Sequence, residues 1–178
     1  MKQGNGSIVF LGDSLTEWFD LESYFPDQRI DNMGIAGDTS AGILYRLDRV
    51  IRKQPEKLFL MIGINDIFQG YSIREIINNQ QNILDSLMVE CPNSQIFVQS
   101  LLPVNEYILG SRGVNDKVKQ LNQLLKEYCQ EAQMEYIALN EHFLGRDGLN
   151  PEFTYDGAHL SGMGYRTWAK LLGPYLKK

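Results

Sequence analysis

Apolar residues fall into two alternating patterns along this chain. Short, nearly unbroken runs with cores IVFL, LFLMI and IFVQSLL predict strands covered on both faces, because a strand with one wet face alternates instead. The strand candidates span 8–11, 29–33, 57–62, 95–101 and 134–139. Between and after them, apolar residues at helical spacing predict helices over 16–24, 39–53, 73–90, 115–133 and 162–172. The third opens on Ser72-x-x-Glu75, a capping box in which each side chain satisfies an orphan backbone donor. It stops at Cys91-Pro92, since proline disfavours helix at the residue before it.

Strand–helix alternation of this regularity calls for right-handed crossovers and a parallel sheet. The expected fold is therefore α/β, a three-layer α/β/α sandwich with a five-stranded parallel sheet, formed by 1–178 as one domain. Open sheets of this kind bind ligands outside the C-terminal strand ends, where the winding reverses. Candidate chemistry is therefore sought in the residues just beyond each strand. Strand one runs into Gly12-Asp13-Ser14, strand two into Asn32-Met33-Gly34, strand three into Gly63-Ile64-Asn65-Asp66 and strand four into Ser100-Leu101-Leu102-Pro103. Asp156-Gly157-Ala158-His159 precedes the last helix.

Composition narrows the function classes. The net charge is −5 and the 17 Lys and Arg residues are scattered, which opposes a nucleic-acid surface. Only two cysteines are present, Cys91 and Cys129, too few for a disulfide framework and without metal-ligand spacing, so both read as inert packed thiols. Two histidines without a His-x-x-x-His pair oppose a catalytic zinc site. No run approaches the ~18 apolar residues of a membrane span. No signal peptide is visible ahead of Ser7, so the sequence reads as cytoplasmic as it stands, and as secreted or periplasmic had a leader been trimmed.

Ser14 alone reads as an N-cap serine, a common device. A nucleophilic serine needs a base, and His142 and His159 are the two histidines available. His142 lies in the polar segment NEHFLGRDG without an acidic partner at short spacing and reads as a surface residue. Asp156 stands three residues before His159 across a glycine-containing turn, a spacing that folds the carboxylate back onto one imidazole nitrogen. Acyl transfer also needs donors for the oxyanion. The candidates are the backbone N–H groups of Ser14 and Gly34 and the side-chain amide of Asn65. Each has a plain alternative as a turn or cap residue. Together, at the ends of different elements around one rim, they form a site.

With these residues assembled, the sequence resembles the SGNH hydrolases, the GDSL esterase/lipase superfamily. The resemblance rests on Gly12-Asp13-Ser14-Leu15, on Gly34 within NMGIAGDTS, on Gly63-Ile64-Asn65-Asp66 and on Asp156-Gly157-Ala158-His159. GDTS followed by YRL, and HLSGMGY leading into the last helix, make it most similar to the branch holding the platelet-activating factor acetylhydrolase catalytic subunits. The resemblance implies a flavodoxin-like sandwich and an esterase without metal or cofactor. Ser14 would be the nucleophile, His159 the base and Asp156 its orienter, with Ser14, Gly34 and Asn65 forming the oxyanion hole. The implied partner is a small-molecule ester, and a second copy of the chain is a further candidate, because relatives in that branch dimerise.

The compact chain, with no insertion long enough for a lipid-binding lid, and the resemblance to the acetylhydrolase branch together lead to short-acyl, acetyl esters of carbohydrates or other small molecules as the expected substrates. A lysophospholipase or thioesterase acting on longer chains is the rival within the class. A non-catalytic binding protein on the same fold is the rival outside it. Trp18, Phe68, Tyr71 and Tyr107 are candidate rim aromatics, each also readable as packing. No Gly-x-Ser-x-Gly elbow occurs, which opposes the ordinary α/β-hydrolase arrangement.

Overall fold

A computed structural model describes residues 7–177, and in it the apolar runs become the strands of one sheet. In chain order the elements begin with β1 (Ile8–Gly12), the one-turn helices α1 (Ser14–Glu17) and α2 (Leu21–Tyr24), β2 (Ile30–Gly34), α3 (Ser40–Ile51) and β3 (Lys57–Met61). Then come α4 (Ile64–Phe68), α5 (Ile73–Glu90), β4 (Gln95–Gln99), α6 (Glu106–Leu109), α7 (Val114–Glu131) and β5 (Glu135–Ile137). A small hairpin, β6 (Leu144–Gly145) and β7 (Gly148–Leu149), precedes the last helix, α8 (Gly162–Leu176). The polar stretch 1–6, read as preceding the first strand, and Lys178 lie outside the described residues.

The five main strands pair in parallel in the order β2-β1-β3-β4-β5, with helices on both faces, as expected. The chain winds outward from β1 to β2 and then returns to place β3 on the other side of β1. The crevice at that reversal lies at the C-terminal ends of β1 and β3, next to Ser14.

One sheet face is an aromatic stack. Phe10, Phe59 and Phe97 are register partners on adjacent strands, with ring centroids 4.7 and 4.5 Å apart. Phe19 meets Phe10 edge-on and Trp168 of α8 stacks on Phe19. The buried indole N–H of Trp168 donates to Gln99 Oε1 at 2.8 Å, so neither polar group is stranded. Lys57 reaches the end of α8, its Nζ donating to the Tyr175 carbonyl at 2.7 Å and favourably opposing the helix dipole. On the other layer α3 packs on α5 and α5 on α7.

Local differences from the sequence pattern have local causes. The helix expected over 16–24 is broken into α1 and α2. Asn32 Nδ2 on β2 donates to the carbonyls of Thr16 at 2.7 Å and Phe19 at 3.2 Å, taking the acceptors a continuous helix would use. Asp20 then caps α2 through Ser23 N–H. The last helix runs past Pro174 to Leu176, because buried Leu176 and the Lys57 contact hold the final turn. At four or five residues, α4 and α6 are too short to show a period. The capping box of α5 is present as expected. Both cysteines are buried, and burial pushes the Cys129 thiol up to about 11.

Phe59 sits at the centre of the stack and is fully buried. Phe59→Ala should destabilise the fold by about 3–5 kcal/mol in urea melts. Exposed Tyr45→Ala should change it by less than about 0.5 kcal/mol.

Candidate active site

The sharp exit from β1 is built by Asp13, whose Oδ1 accepts from Leu15 N–H at 3.0 Å and caps α1. Ser14 is the first residue of that helix, so its own N–H lacks an intrahelical partner. Its hydroxyl lies 3.1 Å from His159 Nε2, across 145 positions of sequence. On the far side of the ring, His159 Nδ1 is 2.7 Å from Asp156 Oδ2. The second carboxylate oxygen accepts from Ala158 N–H at 2.9 Å and His159 N–H at 2.8 Å, folding the turn as its spacing suggests. Thr154 Oγ1 fastens this loop by donating to the His159 carbonyl at 2.7 Å and accepting from Gly157 N–H. Partial burial raises the Asp156 carboxyl, but the ring bond, the two amide bonds and the attraction of His159 outweigh it and hold it at about 2. His142 lies exposed on the 3₁₀ turn Asn140–Phe143, outside this cluster.

The oxyanion candidates divide. Asn65, in the first turn of α4, donates one side-chain hydrogen to the Asp38 carbonyl at 2.9 Å and lines the cavity beside Ser14, leaving a second hydrogen for a ligand. Gly34 does not serve as expected. Its N–H is committed to Asn32 Oδ1 at 3.0 Å. The position needs glycine for another reason: an added Cβ would lie 2.2 Å from the Glu17 nitrogen, so β2 and α1 could not pack. The free amide of this loop is Gly37. Asp38 N–H closes a turn on the Ile35 carbonyl at 3.1 Å, with Gly37 at φ +78° in its third position, as a type II turn requires. The turn is tied to α1 by Ala36 N–H donating to Glu17 Oε2 at 3.0 Å. Among the described residues the Gly37 N–H has no partner. Its only sequence signal is a glycine before the Asp-Thr that starts α3.

A cavity of about 380 Å³ opens beside Ser14, Asn65 and His159. Its wall is apolar, formed by Met61, Ile64, Phe68, Leu102, Val104 and Leu109. These come from the end of β3, from the segment that follows β4 and from α4 and α6, the two helices periodicity missed. Of the rim aromatics, Phe68 lines the cavity and Trp18 lies against His159, whereas Tyr71 and Tyr107 line neither. Among the described residues, no group of three or more His, Cys, Asp or Glu side chains is placed to hold a metal ion, and no helix is long and apolar enough to cross a membrane.

Residues 10–167 match the GDSL-like Lipase/Acylhydrolase family. The chain belongs to that family. It is 28% identical over 184 residues to the platelet-activating factor acetylhydrolase IB subunit alpha2 of Rattus norvegicus, covering 97% of this chain and 76% of the relative. It is 34% identical over 157 residues to an N-acylneuraminate cytidylyltransferase of Streptococcus agalactiae serotype V, covering 87% of this chain. There the chain spans only about a third of the relative's length, 35%. The solved GDSL-like lipase of Bacteroides thetaiotaomicron shares the fold, with a TM-score of 0.88 at 22% identity over 97% of this chain and 88% of that one.

One residue of the GDSL segment has a charge problem. Asp13 is buried, and its Oδ2 has no hydrogen-bond partner. Burial pushes its carboxyl up to about 7, against the pull of the Leu15 N–H and of His159. Between about pH 4 and 7 the folded chain therefore keeps a proton that the unfolded chain has lost. This contribution to stability is full below pH 4, falls as pH rises, and levels off above about 7. Asp13→Asn keeps the acceptor for Leu15 N–H and removes the titration. Urea melts should show the variant gaining on the parent from pH 4 to 7, by up to about 4 kcal/mol at 1.36 per unit, with no further gain above pH 7.

Proposed function

We propose that this chain is a carboxylic ester hydrolase working through an acyl-Ser14 intermediate. The observation that supports this most is the continuous relay Ser14 Oγ–His159 Nε2 at 3.1 Å and His159 Nδ1–Asp156 Oδ2 at 2.7 Å, at the mouth of an apolar cavity. In this reading His159 takes the hydroxyl proton as Ser14 Oγ attacks the ester carbonyl. Asp156 keeps Nδ1 protonated and steadies the imidazolium. The oxyanion meets Ser14 N–H and the second Asn65 hydrogen, with Gly37 N–H in the role expected of Gly34. His159 returns the proton to the leaving alcohol, and water activated by the same ring releases the acid.

The acyl group enters the apolar cavity. At ~30 Å³ per water-sized group, its volume accommodates about a dozen heavy atoms. Acetyl would leave much of that wall wet. A chain of about six to eight carbons would cover it, each methylene contributing about 0.8 kcal/mol. We therefore place medium, unbranched acyl esters ahead of the acetyl esters expected from the compact chain and the acetylhydrolase-like branch. Leaving groups stay small or soluble, since among the described residues no long insertion covers the site.

A series of p-nitrophenyl esters tests both points. kcat/KM should rise at least tenfold from acetate to hexanoate and fall again at hexadecanoate. A maximum at acetate would restore the acetyl reading. Asn65→Ala should stay folded by circular dichroism and lose about 10²–10³ in kcat. No hydrolysis of any ester would favour the non-catalytic rival.

A further inference from the structure

The turn that presents Ser14 aims a second side chain at His159. Residues four apart on a helical turn lie on one side, and Trp18 is four residues beyond Ser14. Its N–H donates to the Ser14 carbonyl at 3.0 Å, which fixes that spacing. Ser14 meets the imidazole at one edge, Nε2, and Asp156 meets it at the other, Nδ1. The Trp18 indole covers a face: ring centroids are 4.4 Å apart and the planes are inclined by 36°. Core packing does not account for this placement. Trp18 is 52% exposed, whereas its neighbour Phe19 is 2% exposed and fills the aromatic core.

Resting on the Ser14–His159–Asp156 reading above, we propose that Trp18 is a positioning residue for His159, holding the ring in line and stabilising the imidazolium through its π face. During acylation the Ser14 O–H bond breaks, the Oγ–carbon bond forms and the ester's bond from carbonyl carbon to alkoxy oxygen breaks. The proton passes to Nε2, and its charge spreads over the ring against the indole. It leaves again with the alcohol, so the stack acts on a transient charge and is not consumed. The other groups acting on that charge are Asp156 on the same loop and Asp13 from the β1–α1 turn. An aromatic face at a half-exposed site favours a cation by about two- to fivefold. The loop carrying His159 is exposed at Tyr155 and Asp156, so losing its lateral support adds a positioning penalty.

The test compares the parent chain with Trp18→Phe and Trp18→Ala, each checked for folding by circular dichroism. Trp18→Ala should lower kcat about tenfold with KM little changed. The acid limb of its kcat/KM profile should move to lower pH by about half a unit, because the protonated ring has lost support. Trp18→Phe should retain most of the activity. A second readout needs no substrate. Contact with an imidazolium quenches indole emission, and subtracting the Trp18→Phe signal cancels Trp168. The difference should fall in one step on acidification, and His159→Gln should abolish the step. A Trp18→Ala enzyme with parental kcat and an unshifted profile would overturn the proposal, as would a step that is absent or survives His159→Gln. If the parent chain hydrolyses no ester, the catalytic reading fails instead, and the emission titration still decides the stack.

Discussion

A buried guanidinium holds the strand ends on which everything else is built. Arg46 of α3 donates through Nε to Asp38 Oδ2 at 2.7 Å, and through its two terminal nitrogens to the carbonyls of Met33 at 2.9 Å and Gly12 at 3.2 Å. The Gly12 carbonyl also accepts Ile35 N–H at 3.1 Å, so the guanidinium binds at the last rungs of the β1–β2 pairing. A buried charge is tolerable only when paired and hydrogen-bonded, and here the pairing also joins β1, β2 and the loop into α3. The same loop carries the network onward. The Asp38 carbonyl receives Asn65, and Ser40 N–H and Oγ both donate to buried Asp66 on α4. Three strand ends become one rigid rim.

The rim explains why the two sides of the site differ. The Ser14 turn, the Gly37 turn and Asn65 are fixed by hydrogen bonds within the fold, buried at Asp13–Leu15 and exposed at Ala36–Glu17, which suits the donor roles proposed for them. His159 instead rides on a partly exposed loop, fastened by Thr154, by the short bridge between Thr154 and Leu160, and by its own ring contacts. Rigidity on one side and a tethered ring on the other match a proposed cycle in which the oxyanion stays put while a proton moves.

Much of this was legible in the residues, for identifiable reasons. Strands β1 and β3 are buried on both faces, so their apolar runs are unbroken and their limits differ from the pattern by only a residue. Ser14 and Asp156-x-x-His159 could be read because strand exits and three-residue turns are local. Gly34 misled because a glycine shows that backbones approach closely, not where its N–H points, and Asn32 two residues earlier takes that N–H. The break between α1 and α2 also depends on Asn32, from another strand. The apolar cavity was invisible because two of its walls are helices too short to have a period. Arg46 stood out only as part of YRL, because a lone arginine at helical spacing does not show which way it faces, and the fold turns it inward.

The proposed chemistry stands or falls on an acyl group passing through Ser14. Peptide mass spectrometry after reaction with a slowly deacylating p-nitrophenyl carbamate probes that step without intermediaries. One carbamoyl group per chain is expected, carried by Ser14, absent in Ser14→Ala and strongly slowed in His159→Ala. A group attached elsewhere, or one formed equally well without Ser14 or His159, would contradict it.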